Sequence, residues 1–412
     1  MKDKKVCKYV LVGTGVRALT FAEPLTKEYK ESSVLLGLFD NNPKRAEYFS
    51  TQLGYPVKVF DDFDVMLDET KPDSVIVTSV DCTHHTYVIK ALEKGCDVIC
   101  EKPLTIDEIK CKEIFAAKKK CGKDIRVTFN CRYMPYFCKL KELIQSGAVG
   151  KILSVNYEHL VRFGHGAEYF HRWHRNMKNS GGMFVHKSTH HFDIVNWLLE
   201  DEPETVTATG ELSYFGPNKR PYSGECCSKC SFQDKCEYYC NIEKDGMNNK
   251  MFFKVQDVDG YIRDRCVFGK DIDIYDNMSA SVKYKSGVVL TYSLTLFNPY
   301  ELNRISIAGT EGRLEAFDQY SGVDIDPVHR VRLIKRDSIV EHVFPRLPSD
   351  HGGSGSIMRN EIFNIVPPDK KLNRRASVYD GAASLLIGVC ANKSVKEKRT
   401  INVQDYLKEL RV

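Results

Sequence analysis

Apolar runs and amphipathic stretches alternate along the first third of the chain. Tyr9-Val10-Leu11-Val12 is a continuous apolar run, the pattern of a strand buried on both faces. A glycine turn at Gly13-Thr14-Gly15 follows, then a helical pattern over 16–29 and a second apolar run over 34–39 that ends at Asp40. Helices are predicted over 44–53, 63–67, 86–94 and 107–121, and strands over 57–60, 74–78, 97–100 and 126–129. Strands that alternate with helices predict a parallel, doubly wound sheet.

After about residue 130 the rhythm changes. A helix over 136–146 precedes a strand over 151–160, and a longer helix spans 188–199. Polar and apolar positions then alternate over 205–212, 279–285, 287–295, 304–308 and 312–317, as in antiparallel strands with one solvated face. Residues 215–275 form an irregular insertion rich in Cys, Lys and Asp, and a final helix over 376–392 is expected to pack back on the first domain. The fold class is α/β. A dinucleotide-binding domain is expected over 1–128, and an α+β domain with a large, mostly antiparallel open sheet over 129–412.

Composition narrows the partners. A length of 412 residues with 42% hydrophobic content supports two full cores. The net charge of +5, with no long run of one sign, argues against nucleic acid or an anionic membrane. No apolar stretch reaches the roughly 18 residues of a membrane span. Met1-Lys2-Asp3-Lys4-Lys5 leads straight into the first strand without a signal-peptide core. A cytoplasmic protein is therefore expected, with its fifteen scattered cysteines mostly reduced.

The pattern Gly13-x-Gly15-x-x-Ala18 opens a helix directly after a strand. Gly13 permits a tight turn, Gly15 lets the backbone approach a pyrophosphate, and Ala18 keeps helix and strand close. Gly13, Thr14, Gly15, Val16 and Arg17 are the candidate phosphate loop, and Asp40 is placed to accept from the adenosine ribose. A carboxylate there favours NAD over NADP; Arg45 nearby keeps NADP open. Ser79, His84, Glu101 and Lys102 follow the ends of later strands and complete the candidate cofactor set. Lys102 can reach both cofactor and substrate.

Residues 181–193 carry His186, His190 and Asp193. On a helix from about Ser188, His190 and Asp193 share a face, with His186 one turn earlier. Seven of the twelve histidines fall between His159 and His191, which suits a proton-transfer site.

Together these residues resemble the glucose–fructose oxidoreductase / inositol dehydrogenase / MocA family. The resemblance is carried by residues 13–17, Asp40, Asp81 with His84, Glu101-Lys102-Pro103-Leu104, Asn130 with Arg132-Tyr133, and residues 181–193. It implies a Rossmann domain, a second α/β domain whose open sheet pairs subunits into a homo-oligomer, and an active site between them. It also implies hydride transfer between nicotinamide and a sugar or polyol carbon, with Lys102 at the substrate hydroxyl, His190 as general base, and a cis peptide at Lys102-Pro103. Arg132, Tyr133, Trp173, His174, His186 and Asp193 are the candidate substrate residues, with His159 and Arg175 beside them. One position departs from the family pattern. Its dehydrogenases commonly carry Asp four residues before the histidine, and this chain has His186. The pair His186 and His190 also has metal-ligand spacing.

Cys227-x2-Cys230-x5-Cys236-x3-Cys240 within the insertion predicts a structural zinc. An iron–sulfur cluster and a loop of free or reversibly paired cysteines are the alternatives. Three functions follow: an NAD-dependent sugar or cyclitol dehydrogenase, a redox-neutral glycosidase or lyase with tightly held NAD, and a non-catalytic NAD-binding sensor.

Overall fold

The structure, a computed structural model, describes residues 6–221, 223–323, 325–346 and 354–411. Residues 1–5, on which the expected lack of a signal peptide partly rests, lie outside the described residues. Among the described residues no helix is long and apolar enough to cross a membrane.

The strands are β1 (Cys7–Val12), β2 (Ser33–Phe39), β3 (Val59–Phe60), β4 (Ser74–Val77), β5 (Asp97–Cys100), β6 (Ile125–Val127), β7 (Ile152–Arg162) and β8 (Pro203–Glu211). They continue as β9 (Asn277–Tyr284), β10 (Val289–Asn298), β11 (Tyr300–Gly309), β12 (Arg313–Gly322), β13 (Val328–Lys335), β14 (Ser338–Pro345), β15 (Ala376–Ser377) and β16 (Ile401–Asn402). The first sheet has the order β15-β6-β5-β4-β1-β2-β3. All its neighbours run parallel except β15, which lies antiparallel to β6. The order reverses beside β1, and ligands bind outside the strand ends at such a switch point. This is the Rossmann arrangement. The second sheet has the order β14-β13-β12-β11-β7-β10-β9-β8-β16 and is antiparallel apart from β7 and β10.

Helix Val378–Glu397 joins the two sheets. It starts on a capping box between Ser377 and Asp380. Ala382, Leu385 and Val389 are buried in the Rossmann core, whereas Ala383, Leu386, Ile387 and Ala391 are buried in the second. Each such Leu, Ile or Val contributes about 1.5–3 kcal/mol by leaving water. At Gly388 a Cβ would lie 2.3 Å from the Phe184 carbonyl oxygen. The missing side chain thus lets this helix press against segment Met183–His186, which carries a cleft residue.

The insertion packs on the first domain. Ile242, Met251 and Phe252 are buried with Tyr9, Leu11, Phe21 and Phe49 of the Rossmann domain. The hairpin β13–β14 has no counterpart among the predicted strands. It sits at the sheet edge, and β14 is exposed at most positions, so its sequence shows no buried alternation. Helices Phe163–His171 and Ser354–Ile362 are likewise additions. The first predicted helix is shorter than expected. A 3-10 turn at Val16–Ala18 leads into helix Leu19–Thr26, which ends two residues after Pro24.

Candidate active site

A cleft of about 520 Å³ opens between the strand ends of the Rossmann sheet and the second domain. At one end Gly13 has φ +88, and a Cβ there would lie 2.4 Å from the Ser79 backbone nitrogen. Only glycine allows both that backbone and that approach. At Gly15 a Cβ would meet no atom within 4 Å, and Gly15 lines the cleft with Val16 and Arg17. The loop backbone is therefore open toward the cavity, as a pyrophosphate requires, and the residues present fit a dinucleotide.

Thr14 is buried behind the loop, where its backbone N–H and hydroxyl donate to Asp40 Oδ2 at 2.7 and 3.0 Å. Asp40 Oδ1 accepts from the Asn42 N–H at 2.9 Å and from Arg45 Nη1 at 3.0 Å. A carboxylate has about four acceptor positions, so a ribose hydroxyl reaching Asp40 would replace one of these donors.

Glu101 directly follows β5 and accepts from Arg17 Nε at 2.6 Å and from the Lys102 N–H at 2.9 Å. Burial disfavours its charge, but Arg17 and Lys102 hold the carboxyl below the usual range. Both Glu101 and Lys102 line the cleft, and Lys102-Pro103 is cis. Ser79 and His84 line it as well. His84 Nδ1 lies 2.8 Å from the Pro103 carbonyl oxygen and Nε2 3.1 Å from that of Ser79. Burial lowers the His84 pKa, and a neutral imidazole donates only once. His84 therefore donates to only one of these two carbonyl oxygens, with its ring held between the Ser79 loop and the Pro103 turn.

Lys102 Nζ donates to the His186 carbonyl oxygen at 3.0 Å. Burial lowers its pKa against the pull of Asp81, Tyr169 and Glu101. Burial raises Asp81 well above the carboxylate range, with Lys102 opposing. Asp81 Oδ2 lies 2.6 Å from His186 Nδ1. Burial, then Lys102 and His174, push the His186 pKa well down. Carboxyl and imidazole thus form a hydrogen-bonded dyad beside the lysine.

His190 lines the same wall from helix Thr189–Leu199, with its Nδ1 3.7 Å from Cys131 Sγ and its ring edge-on to Phe129 at 5.9 Å. Trp173 and His174 stack with ring centroids 3.7 Å apart, and His174 meets His186 edge-on at 4.3 Å. Lys102, His190, Trp173, His174 and His186 are therefore brought together.

Arg132, Tyr133 and Asp193 are not. Arg132 donates to both oxygens of Asp193, Nε to Oδ2 at 2.8 Å and Nη2 to Oδ1 at 2.6 Å, and Nη2 also donates to Asp380 Oδ1 at 2.9 Å. Arg132 and Asp193 side chains are each 1% exposed, so they clamp the helices together behind the cleft. Asp193 shares a helix face with His190, but its carboxylate is taken by Arg132 and so does not reach the cleft. Tyr133 donates to Glu361 at 3.2 Å in the Rossmann core. Arg175 is buried against the Phe170 carbonyl oxygen and Asp271, and His159 lies 2.7 Å from Asn303. None of these lines the cleft.

The cysteine prediction is corrected. Cys227, Cys230 and Cys236 line a cavity of only about 20 Å³ with Cys226 and Cys266, while Cys240 packs against the Rossmann core. Among the described residues no three His, Cys, Asp or Glu side chains are arranged to hold a metal. All fifteen cysteines are free. The pair His186 and His190 also lacks a third ligand among the described residues.

Lys187, Tyr169, Arg172, Asp259, Tyr261 and Arg263 also line the cleft, and no motif in the sequence marks them. Lys187 neighbours His186 in the chain and was visible only as a lysine. The last three belong to the insertion, whose place over the Rossmann domain no local pattern reveals.

The chain matches the family described as an oxidoreductase family with NAD-binding Rossmann fold over residues 7–129, and its C-terminal alpha/beta domain over 141–403. YteT of Bacillus subtilis (strain 168), an oxidoreductase by assignment only, is 33% identical over 421 residues, covering 96% of this chain and 97% of that one. Myo-inositol 2-dehydrogenase of Thermotoga maritima is 26% identical over 407 residues, covering 96% and 98%. The WlbA dehydrogenase of Bordetella pertussis, solved with NADH and UDP-GlcNAcA, shares the fold with a TM-score of 0.67 at 17% identity, covering 97% and 99%. The chain belongs to the Gfo/Idh/MocA family of NAD-binding oxidoreductases.

Proposed function

We propose that the protein is an NAD-dependent dehydrogenase that oxidises a hydroxyl-bearing carbon of a sugar, sugar derivative or cyclitol. The observation that carries this reading is Lys102 and His190 on one cleft that begins at the open Gly15 backbone. NAD, when bound, supplies the hydride acceptor. His190 takes the hydroxyl proton, and the Lys102 ammonium stabilises the oxygen as negative charge develops. Trp173 offers an apolar face for a sugar ring.

The test is incubation of the purified chain with NAD and a panel of inositols and pyranosides, followed by NADH absorbance. NADH formation with at least one of them, lost in Lys102→Met, is expected; no NADH with any would end this reading.

A second reading is favoured by the dyad of Asp81 and His186. Redox-neutral cleavage of a glycoside needs one base for the hydroxyl proton and another for the proton beside the transient ketone. His190 and His186 would divide these tasks, and hydride return would regenerate NAD. Sugar release without net NADH would distinguish this outcome.

A further inference from the structure

The insertion reaches the nucleotide end of the cleft. Its segment from Gly246 to Arg263 lies over the residues that follow β2, and Asp259, Tyr261 and Arg263 line the cavity. Two hydrogen bonds anchor it: Asn42 Nδ2 donates to the Val255 carbonyl oxygen at 2.9 Å, and Arg45 Nε to that of Met251 at 3.1 Å. Arg45 is then held between two carboxylates. Nη1 donates to Asp40 Oδ1 at 3.0 Å and Nη2 to Asp259 Oδ2 at 2.6 Å, and the Arg45 and Asp259 side chains are 7% and 6% exposed. The guanidinium carbon lies 5.2 Å from the Phe252 ring centroid and 5.9 Å from that of Tyr261. Asp259 is itself oriented, because its Oδ1 accepts the Tyr261 N–H at 3.2 Å.

An arginine just beyond the acidic residue at the end of β2 is placed where it can accommodate a 2′-phosphate. Read alone, Arg45 therefore left the choice between NAD and NADP open. The insertion removes that freedom. One guanidinium is shared between two carboxylates, and the neighbouring Arg263 guanidinium lies over the Phe252 ring at 4.6 Å, so a 2′-phosphate would have to compete with Asp40 and Asp259 for Arg45.

We propose that Asp259 is a cofactor-selectivity residue. It acts through Arg45, engaging the guanidinium that would otherwise serve a 2′-phosphate, so the insertion together with Asp40 makes this an NAD site. The inference rests on the cleft being a dinucleotide site and is independent of the sugar oxidised.

Calorimetric titration with ADP-ribose and 2′-phospho-ADP-ribose tests it without substrate or turnover. The wild-type chain is expected to prefer ADP-ribose by about 100-fold or more, and Asp259→Asn to cut that preference about tenfold. Asp259→Glu, which keeps the charge, is expected to restore it, whereas a tie that only holds the insertion in place would leave the ratio unmoved. Equal affinities in the wild type overturn the proposal, and this arm stands even if Asp259→Asn fails to fold. So does an unchanged ratio in an Asp259→Asn protein that keeps its melting temperature. Failure of ADP-ribose to bind at all would remove the dinucleotide reading itself, whereas normal binding with no dehydrogenation would remove only the substrate reading.

Discussion

The two ends of the cleft treat charge in opposite ways. At the nucleotide end, carboxylates meet guanidinium groups: Glu101 meets Arg17 at 2.6 Å, and Asp40 and Asp259 meet Arg45 at 3.0 and 2.6 Å. Glu101 is pushed toward its charged form by those neighbours. At the reaction end, Asp81 meets an imidazole and Lys102 a carbonyl oxygen. Burial pushes both Asp81 and Lys102 toward their neutral forms. Paired, ionised groups hold a fixed shape for recognition. Buried groups whose charged forms are disfavoured are common at reactive sites. Under the proposed function, one cavity combines a rigid recognition wall with the wall that carries out the reaction.

The largest effects should come from the loop that opens the nucleotide end. Gly13→Ala forces a Cβ to within 2.4 Å of a backbone nitrogen at a left-handed φ. It is expected to destabilise the fold by about 3 kcal/mol or more and to abolish cofactor binding. Gly15→Ala meets no atom within 4 Å, so it should fold normally and lose affinity only because its Cβ enters the ligand's space. Denaturant unfolding alongside NAD titration separates the two. Equal loss of stability in both variants would mean that Gly15 does not face the cofactor.

At the reaction end the fold should survive and the rate should not. Lys102→Met and His190→Gln are each expected to lower kcat/KM by about 10²–10⁴-fold. Affinity for ADP-ribose should stay within about threefold, because that ligand lacks nicotinamide and reports mainly on the far end. A parallel loss of ADP-ribose binding would show that the two ends are not separable.

The recognition end was largely legible in the sequence because its parts are local. A strand, a glycine turn, a helix and a following acid fall within about thirty residues and read as one unit. Lys102 and His190 were legible through motif position. Arg132 and Asp193 were not, because the same charged residues that suit a sugar also suit a buried clamp, and only packing against Asp380 decides between them. The insertion was opaque for a related reason. Its cysteines suggested a metal, while it is seated by apolar side chains and hydrogen bonds on a domain about two hundred residues earlier.

A smaller effect is expected at the dyad. His186→Asp restores the carboxylate common among dehydrogenases of the family and places it beside Asp81. Two close carboxylates resist simultaneous ionisation, so the acidic limb of the kcat/KM profile should move upward in pH. If the dyad serves cleavage, the same variant should also shift product toward net NADH. An unmoved profile would relegate His186 to packing.

The smallest effect concerns stability, and it sharpens the contrast between the two ends. Burial lowers the pKa of His174 and His186 well below the ordinary histidine value of about 6.5. Above about pH 7 both folded and unfolded states are neutral at these positions and nothing changes. As pH falls through 6.5 the unfolded chain takes up protons that the folded one refuses, so stability is lost from there downward. Each such histidine contributes a slope of up to about 1.4 kcal/mol per pH unit. At the nucleotide end, Arg17 and Lys102 overcome burial and hold the Glu101 carboxyl below the ordinary glutamate range of about 4.5. Its contribution is complete above about 4.5 and is lost only as pH falls through its lower folded value. His174→Gln should therefore flatten the fall in melting temperature between about pH 6.5 and 5, while Glu101→Gln should leave that slope alone and act below about pH 4.5. Identical slopes for both variants across the whole range would mean that the two ends are not distinguished by how they bind protons.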